Sequence, residues 1–261
     1  MRKLSSIAAL FLLLMLGCRE STNIPVATAN TNSSNTAKAE TEADQSSSAP
    51  TAAKPITGEK MEKPVAVKFE AGGFPEGWVW IDPDERYAPT PHESKDGVLK
   101  ITIPGTKDMY GENRTAPRLL KAVFGDFQIE TKVKFDPTES YQGAGLIVYI
   151  NDNNYLRLER AFGGVGGGES GIRVDVRRDA EYQPLTTPED VPTESKQVGL
   201  KIWRKGKQIF AFWRPDENAE WKSAAEFLSD YPDSVQVGVI GCNTAAPISA
   251  EFAYINLGPA Q

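Results

Sequence analysis

The stretch 145-GLIVYINDNNYLRLER-160 joins two apolar-rich runs through Asn-Asp-Asn-Asn. Asn and Asp tolerate left-handed backbone angles and bond their own backbone, so the four polar residues read as a tight turn. In the second run Leu156 and Leu158 point one way, and Tyr155, Arg157 and Glu159 point the other. A period of two is a strand signature, because successive side chains leave a strand on opposite faces. In the first run Leu146, Val148 and Ile150 belong with the leucines, leaving Ile147 and Tyr149 opposite. The stretch is therefore an antiparallel hairpin with one face for a core and one polar row.

Working outward, the same pattern recurs at short intervals from about residue 66. Strand candidates are 66–70, 77–81, 97–103, 117–123, 126–135, 145–150, 155–160, 171–177, 198–204, 207–214, 235–241 and 249–257. Gly, Pro, Asn and Asp separate them, the spacing expected of an all-β antiparallel sandwich. Lys205-Gly206 reads as a two-residue hairpin turn with Gly supplying the positive φ. The segment 218-NAEWKSAAEFLSDY-231 is expected to be a strand tail plus a helical turn. Residues 66–261 suffice for one domain with a substantial core.

The first residues are a different kind of sequence. Arg2 and Lys3 precede the apolar run 7-IAALFLLLML-16, which is shorter than the about 20 residues a spanning helix needs. The run ends in 15-MLGC-18, which resembles the lipobox of bacterial lipoproteins, with Met15 where Leu is commoner. That resemblance implies a signal peptide over 1–17, an acylated Cys18 and a bacterial cell-envelope address. Arg19, not Asp, follows the cysteine, which favours an outer membrane where the cell has one. Residues 18–65 are rich in Ser, Thr, Ala and Asn and poor in large apolar side chains. Such a segment cannot offset its ordering entropy and reads as a tether spanning about 35–40 Å root-mean-square.

Composition removes several functions. The chain carries 29 basic and 35 acidic residues, a formal net charge of −6, and losing Arg2 and Lys3 with the signal deepens it to −8. Without a basic block, nucleic acid is not an expected partner. With Cys18 lipidated, Cys242 has no disulfide partner and reads as a buried thiol. One histidine, His92, in the Pro-rich 89-PTPHE-93, argues against a Cys/His nucleophile and against zinc.

Read in order, 77-GWVW-80, 116-APRLL-120, 125-GDFQIETKVKF-135, 141-YQGAGLIVYINDNNYLRLER-160, 199-GLKIWRKGKQIFAFW-213 and 236-QVGVIG-241 resemble a known family. It is the concanavalin A-like bacterial domain of unknown function, sometimes labelled the "regulation of enolase" type. That family is related to the C-terminal sandwich of family-43 β-xylosidases and to laminin G-like modules. The resemblance implies a jelly-roll sandwich of two antiparallel sheets, with carbohydrate as the default ligand class.

Alternation supplies the candidate site. Gln128, Glu130 and Lys132 share the outward face of 126–135; Tyr149, Tyr155, Arg157 and Glu159 share that of the hairpin; Arg173 and Asp175 share that of 171–177. If these strands pair in order, the residues form one polar face, expected to be concave. Arg, Glu, Asp and Gln suit sugar hydroxyls, and tyrosines suit sugar C–H faces, aided by Trp78, Trp80 or Tyr110. The competing reading is a lattice in which Arg157, Glu159, Arg173 and Asp175 pair across strands. The expected function is non-catalytic carbohydrate binding at the envelope. A glycoside hydrolase and a structural or protein-interaction domain are the alternatives.

Catalysis is disfavoured because no Glu-x-Asp-x-Glu triplet occurs, leaving Glu130 and Glu159 as the one carboxylate pair to consider. Gly166-x-Gly168-x-x-Gly171 has the spacing of a dinucleotide fingerprint, but it precedes a strand instead of opening a helix and reads as a rim loop. No cofactor or metal is expected. Relatives of this sandwich hold calcium through an early acidic residue and an Asp in the last strand, whereas Ala253 and Tyr254 stand at the latter place here. Glu70, Asp82 and Asp84 are the remaining oxygen ligands.

Overall fold

The computed structural model describes residues 57–83, 89–164 and 167–260. The expected signal peptide, Cys18, most of the tether, Asp84 and Gly166 lie outside the described residues. The strands are β1 (Glu59–Lys60), β2 (Val65–Val67), β3 (Trp78–Ile81), β4 (His92–Lys95), β5 (Val98–Ile103), β6 (Arg118–Phe124), β7 (Phe127–Lys134) and β8 (Gly143–Asn151). They continue as β9 (Asn154–Gly164), β10 (Gly167–Arg178), β11 (Glu181–Thr186), β12 (Gln197–Lys205), β13 (Gln208–Arg214), β14 (Lys222–Leu228), β15 (Ser234–Cys242) and β16 (Ile248–Gly258). Among the described residues there is no helix. The fold is the expected all-β sandwich.

One sheet runs β1-β6-β15-β8-β9-β10-β11, with β3 also on β6; the other runs β14-β13-β12-β7-β16-β5-β4, with β2 also on β16. Pairing is antiparallel except for the short β1–β6 contact. The alternation read from sequence decides what lies between the sheets. Phe127, Ile129 and Val133 from one sheet meet Leu146, Val148, Leu156, Leu158, Ile172 and Val174 from the other in a single buried core. At that core's margin Arg160 is 1% exposed, a position alternation assigns inward. Its guanidinium donates to the carbonyls of Ser195, Ala161 and Gly171 and to Ser170 Oγ, which makes the burial tolerable.

The opening hairpin is β8–β9, with Asn151 opposite Asn154 and Asn151 Oδ1 accepting from the Asn153 amide at 2.9 Å. The β12–β13 turn falls one residue later than expected. Lys205 pairs with Gln208, and Gly206 takes φ 58° at the first central position.

Four local expectations change. The domain begins before residue 66, because β1 pairs with β6 and Met61 is 4% exposed. The helical turn expected in 218–231 is absent; Lys222–Leu228 is strand β14 on β13, with Phe227 packed into the core. His92 belongs to strand β4, its ring 4.2 Å from Trp80 and 5.5 Å from Phe74. Of the glycine run, Gly167–Gly171 opens strand β10 instead of forming a loop.

Candidate functional site

The four strands expected to share one polar face do not. β7 lies in the second sheet, while β8, β9 and β10 lie in the first. Gln128, Glu130 and Lys132 therefore sit on the opposite outer side of the sandwich from Tyr149, Tyr155, Arg157, Glu159, Arg173 and Asp175. On that far side the charges are paired. Glu130 Oε1 accepts from Arg214 at 3.1 Å and from Tyr254 at 3.0 Å, and Lys132 bridges to Glu217 at 2.9 Å. A carboxylate pair of Glu130 and Glu159 is excluded by the same separation.

On the first sheet the outward face is covered by the segment joining β5 to β6, residues 104–117. Met109 and Ala116 from this segment pack on Leu120, Ile147, Tyr155, Ile240 and Cys242, forming a second small core outside the sheet. Tyr155 is fully buried and its hydroxyl donates to the Met109 carbonyl. Burial pushes its pKa up to about 12. Lys107, 2% exposed, donates to Asp82 Oδ1 at 2.8 Å, and Thr90 N donates to Asp82 Oδ2 at 2.6 Å. These contacts pin the segment and occupy one of the carboxylates considered for calcium.

Beneath the segment lies a buried quartet. Arg157 is opposite Asp175 and Arg173 opposite Glu159 in the β9–β10 register. Arg157 donates Nε to Asp175 Oδ1 at 2.9 Å and Nη2 to Oδ2 at 2.8 Å, a bidentate fork. Arg173 donates Nε and Nη2 to Glu159 Oε2 at 3.0 and 2.7 Å. Glu159 Oε1 accepts no hydrogen bond, its neighbour being Arg157 Nη1 at 3.7 Å. Burial alone would raise the Glu159 pKa, but Arg157 and Arg173 outweigh it and hold the carboxyl below its ordinary value of 4.5. Cys242, a fully buried free thiol as expected, accepts from Arg157 Nη1 at 3.1 Å, and burial pushes its pKa well up.

The glycine two residues before the opening stretch acquires a physical reason here. A Cβ on Gly143 would stand 2.5 Å from Arg173 Nη2 and 2.8 Å from Glu159 Oε2. Only glycine leaves β8 thin enough for the ion pair to lie across it.

Above the quartet is a cleft of about 370 Å³ lined by Asp108, Tyr110, Tyr141, Arg157, Gly164, Arg173, Tyr182 and Thr244. Tyr110 and Tyr141 are about half exposed, and Tyr110 meets Tyr182 edge-to-face at 5.4 Å. Tyr141 holds φ 70°, uncommon for a bulky residue, with its amide on the Phe162 carbonyl at 3.1 Å. Burial raises the Asp108 pKa; Arg157, 4.0 Å away, and the Met109 amide oppose it without winning. The cleft thus offers aromatic faces, guanidinium N–H donors and one carboxylate acceptor, a set suited to gripping a polar ligand.

Of the residues expected in the site, Arg157, Arg173 and the aiding Tyr110 reach the cleft. Glu159 and Asp175 are fully buried in ion pairs and do not line it. Tyr149 is occupied by Arg118, whose guanidinium lies 4.8 Å over the ring, and by Asp152, which accepts from its hydroxyl at 2.9 Å. Trp78 is core, and Trp80 packs at a tilt against His92. Sequence reading missed Asp108, Tyr141 and Tyr182. For Asp108 a signal existed, since a long segment bracketed by Pro104 and Pro117 is often functional.

Residues 80–260 match the family described as "Protein of unknown function (DUF1349)". The chain belongs to this family. No curated protein matches it. Among solved structures, a functionally unknown protein from Saccharomyces cerevisiae is similar at 13% identity and TM-score 0.58, covering 71% of this chain and 97% of that one. Xylan beta-1,4-xylosidase from Bacillus halodurans C-125 is similar at 16% identity and TM-score 0.59, covering 74% of this chain. This chain spans 38% of the xylosidase's length. The CBM2 module of the evolved Dit of Lactobacillus casei BL23 phage J-1 is similar at 12% identity and TM-score 0.52, covering 77% of this chain and 96% of that one. At these identities the DUF1349 domain shares a fold with the xylosidase sandwich, which agrees with the expected resemblance at that level.

Proposed function

We propose that this DUF1349 protein is a lipid-anchored module of the bacterial cell envelope, tethered through Cys18 to the outer membrane where one exists. Its sandwich binds carbohydrate in the cleft above the first sheet and acts as a binding module, not an enzyme. One observation carries the reading: Tyr110, Tyr141 and Tyr182 surround a cleft that presents Arg157, Arg173 and Asp108. Aromatic faces take sugar C–H surfaces, and guanidinium and carboxylate groups take hydroxyls. The strain at Tyr141 adds weight, because costly backbone conformations cluster at functional sites. Of the described carboxylates, Asp108 alone lines the cleft, so the paired carboxylates of glycoside hydrolysis are not assembled there.

Glycan-array binding followed by titration of Tyr110→Ala and Tyr141→Ala tests this. Both rings are half exposed, so each variant folds normally and loses affinity for the array hits. A wild type that retains no glycan on the array defeats the proposal. Globomycin-sensitive processing and [³H]palmitate incorporation, both lost on Cys18→Ser, test the anchor.

A further inference from the structure

The charged groups facing the cleft are unequal in sign. Arg157 and Arg173 line it, with side chains 4% and 6% exposed, whereas their partners Asp175 and Glu159 are at 0% and do not reach it. The quartet is neutral as a whole, but the edge it shows to solvent is cationic. The two guanidiniums stand side by side, since Asp175 Oδ2 is 2.8 Å from Arg157 Nη2 and 3.6 Å from Arg173 Nε. Each keeps its Nη1 poorly used. Arg157 Nη1 reaches a thiol at 3.1 Å, Glu159 Oε1 at 3.7 Å and Asp108 at 4.0 Å, and Arg173 Nη1 reaches the Gly163 carbonyl at 3.5 Å. A thiol is a weak acceptor, and 3.5 Å is at the limit of a hydrogen bond.

We infer that the ligand of this cleft is an acidic saccharide, whose carboxylate or sulfate group seats on the weakly bonded Nη1 groups of Arg157 and Arg173 between the rings of Tyr110, Tyr141 and Tyr182. This deepens the carbohydrate reading and rests on it. Two forks already locked by buried carboxylates are pre-oriented donors, so seating an anion does not require ordering mobile side chains. Asp108 is the one carboxylate in the lining among the described residues, and it competes with the anion for Arg157.

The test is calorimetric titration with oligo-glucuronate, oligo-galacturonate and a sulfated galactan trisaccharide, each beside its carboxyl-reduced or desulfated counterpart. An acidic member binds, and its neutral counterpart binds about tenfold more weakly or worse, the loss of one charge-assisted hydrogen bond. The uronate and sulfate arms tell which anion fits. Asp108→Asn keeps the acceptor for the Met109 amide and removes the competing charge. It tightens the acidic ligand about threefold or more relative to its neutral counterpart. Neutral counterparts that bind as well as the acids, or a weaker acidic complex in Asp108→Asn, overturn this inference while the carbohydrate reading stands. Failure of every acidic and neutral glycan overturns both.

Discussion

Replacing Arg173 by Met would leave Glu159 fully buried and without a hydrogen-bonded partner. In the wild type both hydrogen bonds to that carboxylate come from Arg173, at 3.0 and 2.7 Å, and both go to Oε2. Arg157 is a poor substitute, since its fork is committed to Asp175 and its Nη1 lies 3.7 Å from Oε1. Breaking a buried pair costs about 3–5 kcal/mol because it strands a charge. With Arg157 still nearby, the lower end applies, about 3 kcal/mol. For a domain of this size that is a Tm lower by about 6–12 °C. Removing both charges, Arg173→Met with Glu159→Met, strands nothing and returns stability to within about 1 kcal/mol of the wild type.

The pH dependence supplies a second check. In the wild type the Glu159 pKa is depressed, so its contribution is present above the ordinary 4.5 and is lost as pH falls through the folded value. In Arg173→Met the charge and hydrogen bonds of Arg173 no longer oppose burial, leaving Arg157 as the main opposition, and the carboxyl shifts upward. The variant's deficit is then full at neutral pH and shrinks as acid protonates Glu159. Urea unfolding of wild type, single and double variants near pH 7 and near pH 5 measures all three quantities. A single-variant cost under about 1 kcal/mol, typical of an exposed pair, refutes the reasoning. So does a double variant no more stable than the single, or a deficit that does not change with pH.

Gly143→Ala places a methyl 2.5 Å from Arg173 Nη2, and overpacking of this kind costs about 1–3 kcal/mol by chemical denaturation. Burial raises the Asp108 pKa despite Arg157, so ionised Asp108 costs stability above its folded pKa, and the cost disappears as pH falls through it. Asp108→Asn therefore stabilises the domain at neutral pH, with the gain fading in acid, as thermal melts across pH would record. Tyr141→Gly relieves φ 70° and holds or raises stability by up to about 1 kcal/mol, while carbohydrate binding falls. A loss of stability there would mean that the ring packs more than its half exposure indicates.

Much of the fold was legible in the chain. Each expected strand corresponds to a strand of the sandwich, because alternation reports directly on burial. The missed strands had local reasons. Glu181–Thr186 contains Pro184, which demotes a strand pattern but is tolerated at the sheet edge where β11 lies. His92–Lys95 is short, and its residues carry little apolar signal. The site was legible only in part. Arg157 and Arg173 were found by their outward places, but Tyr141, Asp108 and Tyr182 stand on connecting segments or an edge strand and come together only in three dimensions.

By itself the sequence determined which side of its own strand each residue occupies, since that follows from the two-residue period alone. It placed Leu156 and Leu158 in the core and Arg157 and Glu159 opposite them. Only the tertiary structure decided what lies on that opposite side. Strand order comes from long-range pairing that a period cannot encode, and it sent Gln128, Glu130 and Lys132 to the far sheet. The covering segment 104–117 then turned an outward row into a buried one, with β9 buried on both faces from Tyr155 to Ala161. Once water was removed, Arg157, Glu159, Arg173 and Asp175 had to pair, because an unpaired charge at that depth is far too costly. What remains open to solvent is the cationic edge of that pairing, between Tyr110, Tyr141 and Tyr182.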